Sequence, residues 1–212
     1  ANGFEFNRYA RLLTTFANDD LSAFFFDIRK DSLYCDVGPK APLGNAKRRA
    51  YRTVLDHVFH ALVRWVNPIL CFTAEEVWST RYPEGGSVHL LDWPDIDAAW
   101  RDEALGAKWE ELRDIRLLVT GQIEPMRREK VLGSSLEAKV TLGVNAHQRA
   151  AVESVDFTEV CIISELHLKP FETLAVTVER TSYEKCGRCW RLLPEVKEDG
   201  DLCDRCDEVV NG

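Results

Sequence analysis

The sequence has no run of about 18 apolar residues, so none of its segments is apolar enough to span a bilayer as a helix. Its first residues, Ala1-Asn2-Gly3-Phe4-Glu5-Phe6, hold neither an initiator Met nor the apolar core of a signal peptide. They lead almost at once into a helical pattern, which reads as a cut made inside a longer protein. No Gly-rich loop followed by Lys cradles a phosphate, and no GxSxG turn presents a serine nucleophile. Positive charge is also short. Lys and Arg number 27 against 35 Asp and Glu, a net charge of −8. A general binder of polyanions wants the opposite balance, so any contact with nucleic acid must come from local stripes.

Histidine is sparse as well. His57, His60, His89, His147 and His167 show no ligand spacing with a carboxylate or a cysteine, and read as packed or surface residues. Cysteine is unevenly placed. Cys35, Cys71 and Cys161 sit alone in apolar surroundings and read as small buried hydrophobes. The other four crowd the C-terminus. An odd total of 7 without a signal peptide points to a reducing, cytoplasmic setting.

The pattern along the chain is mainly helical. Tyr9, Leu12, Leu13 and Phe16 mark one helix face, and Leu21, Phe24, Phe25 and Ile28 a second. Asn18-Asp19-Asp20 between them is expected to end one helix and cap the next. Gly38 to Gly44 has a linker composition. Asn45 caps a long helix striped by Tyr51, Val54, Val58, Leu62 and Trp65, and Asn67-Pro68 stops it. Thr73-Ala74-Glu75-Glu76 has capping-box spacing and is expected to open a fourth helix. Short links between amphipathic helices predict an antiparallel bundle. After a Gly- and Pro-rich break, Trp109, Leu112, Ile115, Val119, Ile123 and Met126 mark another long helix, which Pro125 should kink or end. Then the period falls to two. Leu136, Ala138, Val140 and Leu142 predict a half-buried strand, Val160–Ile163 a second, and Leu174, Val176 and Val178 a third, with a helix near 145–153. The fold class is therefore mainly α: a helical bundle over 1–95, a long helix with a small α+β junction over 96–180, and a metal ribbon over 181–212.

Cys186-Gly187-Arg188-Cys189 and Cys203-Asp204-Arg205-Cys206 carry the chemistry. Two CxxC knuckles supply four thiolates to one tetrahedral ion, and four thiolates leave no open position, so the site is structural. A tail of about 30 residues has too little core to fold unaided, so one Zn²⁺ would drive its folding. A rubredoxin-like iron site and a pair of redox dithiols are the rivals; the latter would want a βαβ context. Residues 181–212 hold five Lys and Arg against eight Asp and Glu, so this tail is no phosphate magnet. Arg188, Trp190, Arg191 and Arg205 are candidates for specific contacts, since aromatics stack on unpaired bases and Arg reads base edges and phosphates. A second candidate set, Lys47, Arg48, Arg49 and Arg52, stands in the first turns of the third helix. Cations there oppose the helix dipole, a cost that a polyanion would offset. Arg127, Arg128 and Lys130 make a weaker cluster, diluted by Glu124 and Glu129.

Asp20–Asp36 resembles the signature helix of the anticodon-binding domain of isoleucyl-tRNA synthetases. Asn67–Trp78 is similar to a segment shared by the isoleucyl, valyl and leucyl enzymes, and Gly133–Ala138 to the isoleucyl-type junction. Cys186–Trp190 with Cys203 and Cys206 resembles the C-terminal zinc module of bacterial isoleucyl-tRNA synthetases. The likeness runs from about residue 4 to 207. Pro125, Arg191 (where the family pattern has His) and Asp207-Glu208 depart from it. The resemblance implies an anticodon-binding bundle, a four-cysteine zinc ribbon and a hold on the anticodon arm of tRNA(Ile). It implies a parent ligase whose catalytic and editing domains are not in these 212 residues. No HIGH-like sequence occurs, and the one methionine, Met126, is followed by Arg127, so no KMSKS-like sequence does either. The chain is expected to be a monomer, without membrane contact, and inactive alone. The competing readings are a zinc-ribbon interaction module without RNA, the valyl relative, and a redox protein.

Overall fold

The computed structural model of the chain describes residues 5–39 and 42–211. Residues 1–4, on which the signal-peptide reading rests in part, and Lys40 and Ala41 of the linker lie outside the described residues. The chain divides into two compact units, Ala1–Lys30 with Leu43–Arg101, and Asp31–Pro42 with Asp102–Gly212.

The first unit is helical. Helix α1 spans Phe6–Thr15, and Asn18-Asp19-Asp20 does not end it. The backbone widens into π-helix over Phe16–Phe26 and returns to α geometry in α2, Asp27–Cys35. The joints at Phe16 and Asp27 keep right-handed helical dihedrals, and no side-chain cap forms at Thr15. Burial outweighs the capping preference. In i→i+5 geometry residues five apart recur on one side, and Phe16, Leu21 and Phe26 have that spacing and are buried or half-buried.

Helix α3 spans Ala46–Val66 and is capped as expected: the Asn45 side chain accepts the Arg48 N–H at 2.8 Å. Helix α4, Cys71–Arg81, begins two residues before Thr73, with Leu70 at its N-cap and no side-chain cap. The capping box does not form because Thr73 lies inside the helix instead of at its N-cap. Glu75, next to the would-be box residue Glu76, has a role of its own. Its carboxylate accepts the Ser87 hydroxyl at 2.8 Å and the Val88 N–H at 3.0 Å, fastening a short 3₁₀ turn, Val88–Leu90, to α4. Val88 thereby joins Val63, Ala74 and Trp78 in a core flanked by Phe59, Val66, Tyr82 and Leu91.

The second unit is built on α5, Glu103–Arg128, whose N–H of Leu105 is taken by the Asp102 carboxylate. Leu112, Ile115, Val119 and Ile123 form its fully buried stripe. Pro125 does not end this helix, which runs on to Arg128. The carbonyl that loses its donor belongs to Gly121, on the exposed face, where water can satisfy it. Strand β1, Ala138–Val144, follows the period-two reading and buries Ala138, Val140, Leu142 and Val144. Asn145 and Gln148 close a capping box on α6, Ala146–Glu153. The apolar run Val160–Ile163 is not a strand. Val160 and Cys161 end α7, Phe157–Cys161, and Ile162 turns the chain in left-handed geometry. A short, mostly buried apolar run has no polar face to set a period, so periodicity does not tell strand from helix there. Strand β2, Glu165–Pro170, then pairs parallel to β1, and β3, Ala175–Arg180, pairs antiparallel on its other side, giving the order β2-β1-β3. The chain ends in a two-stranded ribbon, β4 (Glu184–Lys185) with β5 (Leu192–Leu193), and helix α8, Asp204–Asn211.

A candidate metal centre and the cations around it

The ribbon turns at the first knuckle. The Cys186 N–H donates to Arg191 O at 2.9 Å and the Trp190 N–H to Cys186 O at 3.0 Å, folding Cys186–Trp190 back on itself. Gly187 is required there, since a Cβ would overlap the carbonyl of Gly200. The second knuckle enters α8 directly, so Cys203 precedes the helix and Cys206 lies in its first turn.

All four thiols are buried, and their sulfurs lie within 4.8 Å of one another. Cys189 and Cys203 are 3.8 Å apart. Zinc–thiolate bonds of about 2.3 Å in a tetrahedron put sulfurs roughly 3.8 Å apart, so the spacing fits a closed four-thiolate ion site. Among the described residues this is the one group of three or more metal-ligating side chains close enough to share an ion. Electrostatics point the same way. Burial, with the charge of Cys206, Cys203 and Cys186, pushes Cys189 well above the usual thiol range. Burial and Cys206 push Cys203 to about 11. Burial opposes ionisation of Cys186 too, but the N–H groups of Cys189, Cys203 and Arg188 bring it down to about 6. One thiolate is favoured and its neighbours resist, a conflict that a divalent cation at the centre resolves. When bound, zinc contributes a rigid cross-link and no reactive position.

Cys35 is more than a lone hydrophobe. It is buried in one cluster with the four knuckle cysteines and Val196. Burial and the charge of Asp31 push its thiol up to about 12, so it packs against the site as a neutral group. Cys161 is buried as the sequence suggests, but Cys71 is exposed at the start of α4.

The four candidate contact residues of the ribbon divide three to one. The Arg188 guanidinium donates to Cys35 O and, at 2.6 Å, to Val37 O, and lies 3.7 Å from Cys206 Sγ. Arg205 grips Asp31 with both of its terminal nitrogens, one at 2.9 Å, and reaches Asp36 at 3.3 Å. Arg191 donates to the Thr158 hydroxyl at 2.7 Å. Trp190 alone is turned outward, 63 % exposed, and it holds a left-handed backbone at φ 65°. Sequence reasoning missed Asp31, Ser32, Cys35 and Asp36 as parts of this site. Their one signal was that they fall inside the Asp20–Asp36 segment.

The cations of α3 belong to the other unit. Arg48 folds back to Leu43 O at 3.1 Å and Arg49 to Gly44 O at 2.7 Å. Lys47 and Arg52 are exposed. Four of the five histidines pair with neighbours: His57 with Trp100, His60 with Tyr82, His147 with Glu111 and His167 with Glu165.

Residues 1–142 match the family described as the anticodon-binding domain of tRNA ligase. The chain belongs to that family. Residues 184–209, which include both knuckles, match a zinc finger found in FPG and IleRS. Among curated relatives, the isoleucine–tRNA ligase of Zymomonas mobilis is 62 % identical over 99 % of this chain. Those of Gluconobacter oxydans and Agrobacterium fabrum are 45 % and 44 % identical over 92 % and 96 % of it. The chain spans only 22 %, 21 % and 22 % of their respective lengths. The zinc-finger match and the four-cysteine cluster together support a structural zinc in this anticodon-binding chain. No described helix is long and apolar enough to cross a membrane.

Proposed function

We propose that the chain is the tRNA-binding C-terminal portion of an isoleucine–tRNA ligase. It holds tRNA(Ile) by its anticodon arm while a catalytic domain elsewhere in the polypeptide joins isoleucine to the tRNA with ATP. The observation that carries this reading is the order of two matches on one chain, an anticodon-binding domain over 1–142 and a zinc finger over 184–209. Cys186, Cys189, Cys203 and Cys206 ligate one structural Zn²⁺. Three functional stretches follow in sequence: the bundle of 1–95, the junction of 96–180 and the ribbon of 181–212. Lys47, Arg48, Arg49 and Arg52 on α3, with Trp190 on the ribbon, face the RNA; Arg188, Arg191 and Arg205 act through their contacts within the ribbon's own unit. The protein works as a monomer in the cytoplasm, without a membrane partner.

Two measurements test this. The chain should bind a tRNA(Ile) transcript with an affinity that falls as salt rises, and it should be blank in isoleucine-dependent ATP–pyrophosphate exchange. In the full-length enzyme, truncation at Thr181 should impair aminoacylation and spare exchange. Unimpaired charging would reduce the ribbon to an accessory, and joint collapse of both activities would make it a global stability element.

A further inference from the structure

Arg188 and Arg205 sit beside the metal ligands, and both spend their guanidinium groups on one short stretch, Asp31–Val37. Arg188 serves the last turn of α2. Its donors reach the carbonyls of Tyr34, Cys35 and Val37, the first at 3.5 Å. The final carbonyls of a helix have no partner within it, and a cation there also favours the helix dipole. Arg205 closes the other side. It pairs with both oxygens of Asp31 and with Asp36, whose second oxygen takes the Ser32 hydroxyl at 2.7 Å. Asp36 is the most enclosed member, its side chain only 4 % exposed. Two further contacts join the same pieces. Cys35 packs into the sulfur cluster, and Gly38 lies so close to α8 that a Cβ would overlap the carbonyl of Val209. The contacts start on both knuckles and on α8 and end on residues 31–38. The segment Asp31–Pro42 accordingly belongs to the ribbon's compact unit, although more than a hundred residues separate them in sequence.

We propose that Arg188 and Arg205 are positioning residues: through them the bound zinc holds the Asp31–Val37 end of α2, and they govern tRNA affinity by way of that end without touching phosphate. The second half of this statement rests on the tRNA-binding reading above; the first half does not. Charge and geometry support it. Arg205 faces two carboxylates, so the clamp as a whole offers a phosphate no net positive charge. Arg188 has its fork occupied by three carbonyls and a sulfur. An arginine already paired in this way adds nothing to counterion release when RNA binds.

The decisive variant is Asp31→Ala, because it breaks the clamp without removing a cation. It is compared with Arg205→Ala, Arg188→Ala, Arg205→Lys (which keeps the charge and loses the planar fork) and the exchange Asp31→Arg with Arg205→Asp. Zinc content, amide hydrogen exchange over residues 31–39, and tRNA(Ile) affinity across a salt series are read for each. All should retain about one zinc per chain. Exchange over 31–39 should quicken at least about tenfold in both alanine variants of the Asp31–Arg205 pair and in zinc-stripped protein, and the charge exchange should slow it again. Asp31→Ala and Arg205→Ala should weaken tRNA binding to a similar degree, with the slope of log affinity against log salt unchanged. A slope shallower by about 0.7–0.9 in Arg205→Ala, with Asp31→Ala binding as tightly as the parent or more so, would make Arg205 a phosphate contact and overturn the proposal. Unchanged exchange over 31–39 in the alanine variants would overturn it as well. If the parent chain does not bind tRNA at all, the functional reading fails, and the exchange data with and without zinc still decide the clamp.

Discussion

Two groups of cations stand out in this sequence, and the fold treats them differently. Those at the start of α3 find their partners close by: Arg48 and Arg49 each return to a carbonyl five residues back. Those of the ribbon find theirs far away, Arg188 and Arg205 on residues more than 150 positions earlier. The first arrangement keeps the cations on the helix surface, where Lys47 and Arg52 are exposed. The second consumes the charge inside the molecule. A cation count alone therefore says little about RNA contact. What decides is whether the fold delivers an internal carboxylate or carbonyl before the RNA can.

The largest expected effect tests the metal on which the ribbon half of this comparison depends. Cys189→Ser should remove the ion and the order of residues 184–211 together, since metal binding in so small a module is its folding energy, about 10–16 kcal/mol in isolated zinc peptides. Elemental analysis and amide exchange should show the two losses in step. Protons compete for the same sulfurs, and burial already holds Cys189 and Cys203 above the ordinary thiol range. Zinc should therefore leave as pH falls. A metal-free sample with an ordered tail, or the colour of bound iron, would end the zinc reading.

The next effect is the charge pair itself. Burial raises the Asp31 pKa, but hydrogen bonds and charge from Arg205, with Arg191 behind, outweigh it and hold the carboxyl below its usual value. A carboxylate depressed in the folded state stabilises above its unfolded value, roughly pH 4, and that contribution fades as pH falls through the lower folded value. Asp31→Asn should cost about 1–2 kcal/mol at neutral pH, a figure tempered by the pair's partial exposure. It should also flatten the acid limb of stability below about pH 4. Some slope should persist, because Glu165 is depressed too, its burial outweighed by His167, Thr181 and Lys139. Identical acid limbs in thermal melts of parent and variant would show that the pair does not stabilise this unit.

The sequence made the local features readable. The paired CxxC spacing found the metal site, period two found β1 and β3, Asn45 marked a helix start that its side chain does cap, and a helix was expected near 145–153, where α6 lies. What escaped was nonlocal. Helix α4 began two residues before the predicted cap, leaving Thr73 inside it, while Glu75 reached across to Ser87. The Asn-Asp-Asp segment stayed helical because apolar residues on either side of it wanted burial. Asp31 and Asp36 met Arg205 only after the chain had folded the ribbon onto α2. The likeness of Asp20–Asp36 to a family signature contained the clamp without revealing it, since a pattern does not say what its residues touch.

Trp190 sharpens the comparison from the other side, as the ribbon residue without an internal role for its side chain. A left-handed backbone costs a non-Gly residue about 1–2 kcal/mol, and glycine's unfolded-state entropy offsets roughly 0.5–1 of it. Trp190→Gly should therefore leave stability unchanged or raise it by up to about 1.5 kcal/mol. The same change should weaken tRNA binding by about 1–3 kcal/mol if the ring stacks on a base. Urea titration and tRNA titration read the two arms. Weakened binding with stability kept supports a stacking role; undiminished binding removes Trp190 from the interface.

The smallest effect lies within the α3 cluster and asks whether its local partners matter. Arg52 is exposed, with no bond found for it among the described residues, whereas Arg48 is tied to Leu43 O. If exposed cations here meet phosphate, Arg52→Ala should make the salt dependence of tRNA binding shallower by about 0.7–0.9, one counterion's worth. Arg48→Ala should change it less, because its guanidinium must give up a carbonyl before it can reach out. Stability should respond in the reverse order. Arg52 lies in the second turn of α3, past the reach of the helix dipole, so removing it should change stability little. Removing Arg48 loses a hydrogen bond that holds the entry to α3, at about 0.5–1.5 kcal/mol. Equal salt slopes for the two variants would show that a carbonyl five residues away does not shield a cation from RNA, and the contrast with the ribbon would then rest on its carboxylates alone.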